Sequence, residues 1–147
     1  MIYLLRHGDA EPTDRDDDAR RLTEKGRRQS RAAGRALAAT GAKIDACLAS
    51  PKVRALDTAR LACEPLAVEP EVAPELRSGP FDSLSLAAGR GDVLLVGHEP
   101  DLSRAIQVAT GGHVEMKKGG LAAIEGATLL TLIRPSHLRW IAAARND

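Results

Sequence analysis

The sequence is poor in aromatic residues and cysteines, and it contains no long apolar run. Only 2% of its 147 residues are aromatic, so the core has to be built from Leu, Ala, Val and Ile. Cys47 and Cys63 are too few for a disulfide framework and lack metal-ligand spacing, which favours buried thiols in a reducing compartment. No window approaches a membrane span, and the N-terminal residues lack the features of a signal peptide. These absences predict a soluble, cytoplasmic protein.

A marked excess of charge is also missing. The chain has 21 basic and 20 acidic residues and a formal net charge of +1. Proteins that bind nucleic acid or anionic membranes over a large area normally carry a clear basic excess, so neither partner is expected here. Nucleotide-binding motifs are absent as well, since there is no Walker sequence and Gly89-Arg90-Gly91 precedes a predicted strand instead of following one. Any anion site must therefore be local.

Short apolar runs alternate with helical stretches along the first two thirds of the chain. Strands are predicted at residues 2–5, 44–49 and 92–96 and near Val72, and helices at about residues 23–40, 50–63, 83–88 and 100–111. Three further strands, at 121–124, 128–133 and 138–142, follow one another at the C-terminal end. This order predicts one domain over residues 1–147, a three-layer α/β/α fold with a mostly parallel mixed sheet.

Basic residues and histidines follow three of the predicted parallel strands. Arg6 and His7 follow the first strand, Arg54 lies in the segment "SPKVR" after the second, and His98 follows the fourth. The carboxyl ends of parallel strands meet at one edge, where ligands of open α/β sheets bind. Guanidinium groups and helix N-termini bind phosphate, and Gly8 would let the backbone approach such a ligand closely. The pattern predicts a phosphate-binding site.

Three motifs in this order resemble those of the histidine phosphatase superfamily, also called the phosphoglycerate mutase-like family. They are "RHG" at residues 6–8, "SPKVRALDTA" at 50–59 and "VGHEP" at 96–100, and the segments "RRLTEKG", "PEL" and "KKGGLAAIE" follow the family order too. The size and the opening segment are most similar to the small SixA-type branch, the phosphohistidine phosphatases. The resemblance implies a phosphoglycerate mutase-like fold and a phosphatase that needs neither a metal nor a cofactor.

The resemblance also implies roles for the clustered residues. His7 would be the nucleophile and would form a phosphohistidine intermediate, with its tautomer fixed by a hydrogen bond on the other ring nitrogen. Arg6 and Arg54 would bind the phosphoryl oxygens, and a protonated His98 would supply a third contact. From the residues alone, the two arginines could instead be ion-pair partners of Asp9 or Asp57.

Three further assignments concern the proton donor and the first loop. Glu75, in "APELRSG", occupies the position of the proton donor in many members of the family, and Asp9 is the nearer alternative. Arg20 falls in a family motif and either reaches the substrate from the first loop or is solvated. The acidic run at residues 14–18 is interpreted as a solvated loop and not as a metal site, because it has no companion histidine at ligand spacing.

The predicted substrate follows from a short segment. Residues 77–92 are too few to form a helical lid, so a phosphorylated side chain presented by another protein could enter the site. We therefore predict a phosphatase that acts on phosphohistidine in proteins, for instance in a histidine-containing phosphotransfer domain. The alternatives are a small-molecule phosphomonoesterase that uses the same site and a non-catalytic phosphate-binding module.

Overall fold

Strands and helices alternate through residues 1–13 and 15–144, the part of the chain that this computed structural model describes. The strands are β1 (Ile2–Arg6), β2 (Ala46–Ala49), β3 (Pro70–Val72), β4 (Val93–Gly97), β5 (Leu121–Glu125) and β6 (Thr128–Ile133). The helices are α1 (Glu24–Ala39), α2 (Val53–Cys63), α3 (Ser83–Ala87), α4 (Asp101–Thr110) and α5 (Pro135–Ala143), and 3₁₀ turns cover Asp17–Ala19, Glu64–Leu66 and Pro74–Leu76. None of these helices has the length and apolar character needed to cross a bilayer.

All six strands belong to one sheet, in the order β3-β2-β4-β1-β5-β6. β3, β2, β4 and β1 pair in parallel, whereas β5 is antiparallel to both β1 and β6. The four parallel strands bring their carboxyl ends to the same edge of the sheet. The predicted fold class, a mostly parallel mixed sheet between helical layers, is confirmed.

The helices cover both faces of the sheet and define two apolar cores. On one face α1, α2 and α5 pack against the sheet through side chains such as Ala33, Ala59 and Leu138. On the other face α3 and α4 contribute Ala87 and Ile106, among others. Among the described residues no aromatic side chain is fully buried, and the cores consist mainly of Leu, Ala, Val and Ile as the composition predicts. The two cysteines are free and buried in the first core.

The last predicted strand is a helix in the structure. Residues 138–142 lie in α5, which has Pro135 in its first turn, where proline is favoured. Leu138 is buried and Ile141 half-buried, whereas Trp140 is exposed, and this is the three-to-four-residue spacing of a helix face. A short apolar run cannot be assigned to strand or helix by periodicity alone. The prediction of a third C-terminal strand was wrong for that reason.

Candidate active site

The carboxyl ends of β1, β2 and β4 bring three of the predicted site residues into contact. The N–H of His7 donates to the carbonyl of Gly97 at 3.1 Å, which continues the β1–β4 ladder by one residue and sets His7 beside His98. The two imidazole centroids are 5.2 Å apart, with a tilt of 53° between the rings. Arg54, in the first turn of α2, donates from Nε to Nε2 of His7 at 3.4 Å. The three side chains are buried together at this edge.

His7 presents a neutral ring nitrogen to this cluster. Its Nδ1 lies 2.7 Å from the carbonyl oxygen of Gly8, and because a carbonyl only accepts hydrogen bonds, Nδ1 carries the proton. Burial lowers the pKa of His7 to about 4; the nearby Arg54 and Arg6 also lower it, against the opposing effect of the Gly8 hydrogen bond. Nε2 is therefore unprotonated at neutral pH, and its lone pair, which accepts the Nε–H of Arg54 in this structure, could attack phosphorus once that hydrogen bond is released.

The lowered pKa of His7 predicts the acid limb of the pH–rate profile. Protonation of Nε2 removes the lone pair, so kcat/KM should fall as the pH decreases through about 4 and should stay level between about pH 6 and 8. The measurement is kcat/KM across this range with a substrate whose own ionisation is determined separately. An acid limb centred between about 6 and 7, where an ordinary histidine titrates, would contradict the assignment.

Gly8 serves the packing of the loop after β1. A Cβ at this position would lie 2.5 Å from the carbonyl oxygen of Gly26, and one on Gly26 would lie 2.0 Å from that of Asp9. The two backbones therefore touch, and the Gly8 N–H donates to Thr58 Oγ1 at 3.1 Å. The glycine is therefore needed to seat the His7 loop on the start of α1, and the close approach of a ligand that the sequence suggested stays a prediction.

Arg6 and Arg54 are held differently. Arg6 donates from Nη1 to the carbonyl of Met116 at 2.8 Å, while its buried Nε has no hydrogen-bond partner among the described residues. Arg54 donates from Nη1 to the Asp17 carbonyl at 2.6 Å and from Nη2 to the Asp17 carboxylate at 3.1 Å. An ion-pair partner of Arg54 therefore exists, but it comes from the acidic run of the first loop.

His98 is neutral in the ligand-free site. Burial lowers its pKa to about 3, and the neighbouring His7, Arg54 and Lys52 act in the same direction. The protonated His98 that the resemblance implies belongs to a site that holds a phosphoryl group, and it stays a prediction. Nε2 of His98 lies 2.7 Å from the hydroxyl of Ser50, and its buried Nδ1 has no hydrogen-bond partner in the described part of the chain. If the hydroxyl donates to Nε2, the proton resides on Nδ1 and can be donated to a phosphoryl oxygen.

The cap residue of α2 is Lys52, whose N–H donates to the Ser50 hydroxyl at 3.2 Å. Ser50→Ala should lower kcat/KM roughly 10- to 100-fold, by analogy with the loss of a hydrogen bond that orients a metal-binding imidazole. The matched control is Ser83→Ala, the same truncation of another buried serine. Equal rates for the two variants would show that Ser50 does not position His98.

The first loop is tied to the site through Asp17. Its carboxylate accepts hydrogen bonds from Lys52 Nζ at 3.0 Å and Arg20 Nη1 at 3.2 Å, in addition to the contact with Arg54. These hydrogen bonds, that of Lys52 foremost, hold the pKa of Asp17 well below its usual range. Asp17 is exposed, as expected for a solvated loop, but its carboxylate also pairs with the buried Arg54, while Asp14 lies outside the described residues. Arg20 reaches the edge of the cluster through this carboxylate and also donates to the Glu11 carbonyl.

Neither candidate for the proton donor makes a hydrogen bond or an ion pair with the clustered residues. Glu75 is exposed on the 3₁₀ turn Pro74–Leu76. The Asp9 carboxylate accepts from the Thr23 hydroxyl at 2.8 Å and pairs with Lys118 at 3.5 Å. Among residues 1–13 and 15–144, no group of three or more His, Cys, Asp or Glu side chains is arranged to hold a metal ion.

The family comparison and the shared fold define a phosphatase of the histidine type. Residues 2–88, more than half of the chain, match the family model of the histidine phosphatase superfamily, branch 1, and the chain belongs to that superfamily. It is 35% identical over 136 residues to an uncharacterised protein of Picosynechococcus sp., with 82% of this chain and 81% of the relative covered.

Two further proteins are similar over different lengths. The mitochondrial serine/threonine-protein phosphatase Pgam5 of Drosophila melanogaster is 37% identical over 70 residues, which cover 48% of this chain and 24% of Pgam5. The structure of the protein histidine phosphatase SixA complexed with tungstate superimposes with a TM-score of 0.82 at 24% identity, covering 93% of this chain and 98% of SixA. The similarity to SixA shows that the two chains share a fold.

Proposed function

We propose that this protein removes the phosphoryl group from phosphohistidine side chains of other proteins. The main observation is that neither Glu75 nor Asp9 makes a hydrogen bond or an ion pair with the clustered residues. Among residues 1–13 and 15–144, Asp17 is the only carboxylate with a hydrogen bond or an ion pair to Arg6, His7, Arg54 or His98. Its partner is Arg54, and its lowered pKa keeps it ionised at neutral pH. An alkoxide leaving group needs a proton during departure, whereas the imidazole of phosphohistidine needs much less assistance.

The reaction would proceed in two displacements at phosphorus. Nε2 of His7 bonds to phosphorus while the bond from phosphorus to the substrate imidazole breaks, and the departing nitrogen keeps the electron pair and takes a proton from solvent. A water oxygen then attacks the phosphorus, the bond to Nε2 breaks, and inorganic phosphate leaves as the water loses a proton. Arg6, Arg54 and the Nδ1–H of His98 would neutralise the phosphoryl oxygens in both steps.

Two other observations support a protein substrate. The segment between β3 and β4 holds a 3₁₀ turn and the five-residue α3, which is too little chain for a helical lid. The SixA structure and the Pgam5 relative are both named as phosphatases of proteins. We place the activity in the cytoplasm, where the free thiols of Cys47 and Cys63 stay reduced.

The test compares leaving groups on the same enzyme. A phosphorylated histidine-containing phosphotransfer domain and a set of small alkyl phosphomonoesters are assayed for phosphate release. We expect kcat/KM to be at least roughly 10²-fold higher for the phosphoprotein, the smallest usual contribution of a general acid that the alkyl esters would lack here. A higher kcat/KM for the alkyl esters would overturn the proposal in favour of a small-molecule phosphomonoesterase.

A further inference from the structure

A groove lined by basic side chains lies between the first turns of α1, the segment before β5 and the start of α5. It encloses about 420 Å³, and its polar lining includes Lys25, Arg28, Gln29, Lys117, Arg134 and Arg139. No carboxylate lines it. We call this surface the basic groove.

The positive charge continues along α1. A second cleft of about 260 Å³ shares Arg28 and Arg139 with the basic groove and adds Arg31 and Arg35. The two clefts together gather seven basic residues, a third of the 21 in a chain whose net charge is only +1. Within the described residues only Lys117 of these seven has an ion-pair partner, Glu115 at 3.8 Å. Such concentrated and unneutralised charge attracts an anionic partner.

The inner end of the basic groove is separated from the backbone of His7 by Gln29 and Gly119. Gln29 lines the groove and accepts a hydrogen bond from the Asp9 N–H through Oε1 at 2.8 Å. The same side chain packs against Gly119, whose N–H donates to the carbonyls of Arg6 at 3.1 Å and His7 at 3.0 Å. A molecule bound along the groove is therefore next to the catalytic edge.

The length of the groove and the residues that line it indicate which kind of anionic partner fits. Lys25 and Arg35 are ten positions apart on α1, which corresponds to about 15 Å along the helix axis, longer than a single phosphate. No aromatic side chain lines either cleft, so stacking of nucleic-acid bases has no platform. An extended row of carboxylates on a folded protein matches both the length and the charge.

We propose that the basic groove docks an acidic surface of the phosphoprotein substrate and so delivers its phosphohistidine to His7. The proposal rests on the proposed function, since the docked protein is the one that is dephosphorylated. Docking of this kind acts on encounter and affinity, so it contributes to KM and leaves the chemical step unchanged.

The experiment reverses charge inside and outside the groove. The double variant R28E/R139E is compared with R90E/R104E, which changes the net charge equally at exposed arginines outside both clefts. The substrates are a phosphorylated phosphotransfer domain with acidic residues around its histidine and a small phosphomonoester. Binding of poly-L-glutamate and of single-stranded DNA of similar length is measured in parallel.

For R28E/R139E we expect KM for the phosphoprotein to rise at least about tenfold with kcat unchanged, while R90E/R104E and all rates with the small ester stay at the wild-type level. The wild-type KM should also rise with salt, and less so in R28E/R139E. Equal effects of the two double variants, or tighter binding of DNA than of poly-L-glutamate, would overturn the proposal.

Failure of the proposed function gives a different result. In that case the wild type would hydrolyse the small ester but not the phosphoprotein, and binding of poly-L-glutamate would decide about the groove. Binding that R28E/R139E loses and R90E/R104E keeps would support an acidic partner. Absence of binding to the wild type would overturn it.

Discussion

Replacement of His7 by alanine is expected to lower the rate of phosphate release on the order of 10⁴-fold or more and to abolish the phosphorylated intermediate. The nitrogen that is lost is Nε2, which stays unprotonated because Nδ1 donates to the Gly8 carbonyl and because the pKa of the ring is low. Trapping with ³²P-labelled substrate measures the effect directly, since phosphohistidine is labile to acid and stable to base.

The control for this experiment is His113→Ala, the same truncation at an exposed histidine. It should retain both the labelled adduct and the wild-type rate. A labelled adduct that persists in His7→Ala would place the nucleophile on another residue. A wild type that binds phosphate, forms no adduct and keeps its affinity in His7→Ala would be a binding module and not an enzyme.

Arg54→Ala is expected to lower kcat about 10²- to 10³-fold, the usual effect of removing one donor that stabilises a transition state. The guanidinium is buried against Nε2 of His7, where little water is present to screen its charge on the transferred phosphoryl group. Arg54→Lys should recover only part of the loss, because an ammonium cannot present the planar pair of donors. Steady-state kinetics with saturating substrate measure the change.

A second arginine of the same helix provides the control. Arg60 is exposed and pairs with Asp57 at 3.2 Å, so Arg60→Ala should leave kcat unchanged. The melting temperature of Arg54→Ala has to be measured as well, since the change also frees Asp17. An unchanged kcat in a folded Arg54→Ala protein would remove Arg54 from the site.

The sequence predicts well which residues meet at the carboxyl edge of the sheet, because strand ends are local features. Apolar runs that end directly in Arg6-His7 or in Gly97-His98 identify both the strand and the residue beyond it. The parallel pairing of β1 with β4 and of β4 with β2 then brings these residues together whatever the loops do. The alternation of strands and helices is sufficient for the fold class.

Contacts between distant segments are what the sequence does not reveal. The approach of Asp17 to Arg54 depends on how an irregular loop folds back over α2, and no periodicity encodes that path. The neutral state of His98 depends on how much water the fold excludes, which motif spacing cannot report. The Ser50–His98 contact could have been predicted from the sequence, because β2 and β4 are neighbours in the sheet and each residue directly follows its strand.

Under the proposed function, the contact of Asp17 with Arg54 makes substrate binding an exchange of one anion for another. To bind the Nη1 and Nη2 donors of Arg54, a phosphoryl group has to displace the carbonyl and carboxylate oxygens of Asp17. Asp17 is part of the same chain, so its oxygens compete for Arg54 at a high effective concentration. Free inorganic phosphate makes no contacts with the protein outside the site, so it competes poorly with Asp17 for Arg54. A phosphoprotein keeps its remaining contacts while the exchange takes place, so the same loop that resists the substrate also expels the product.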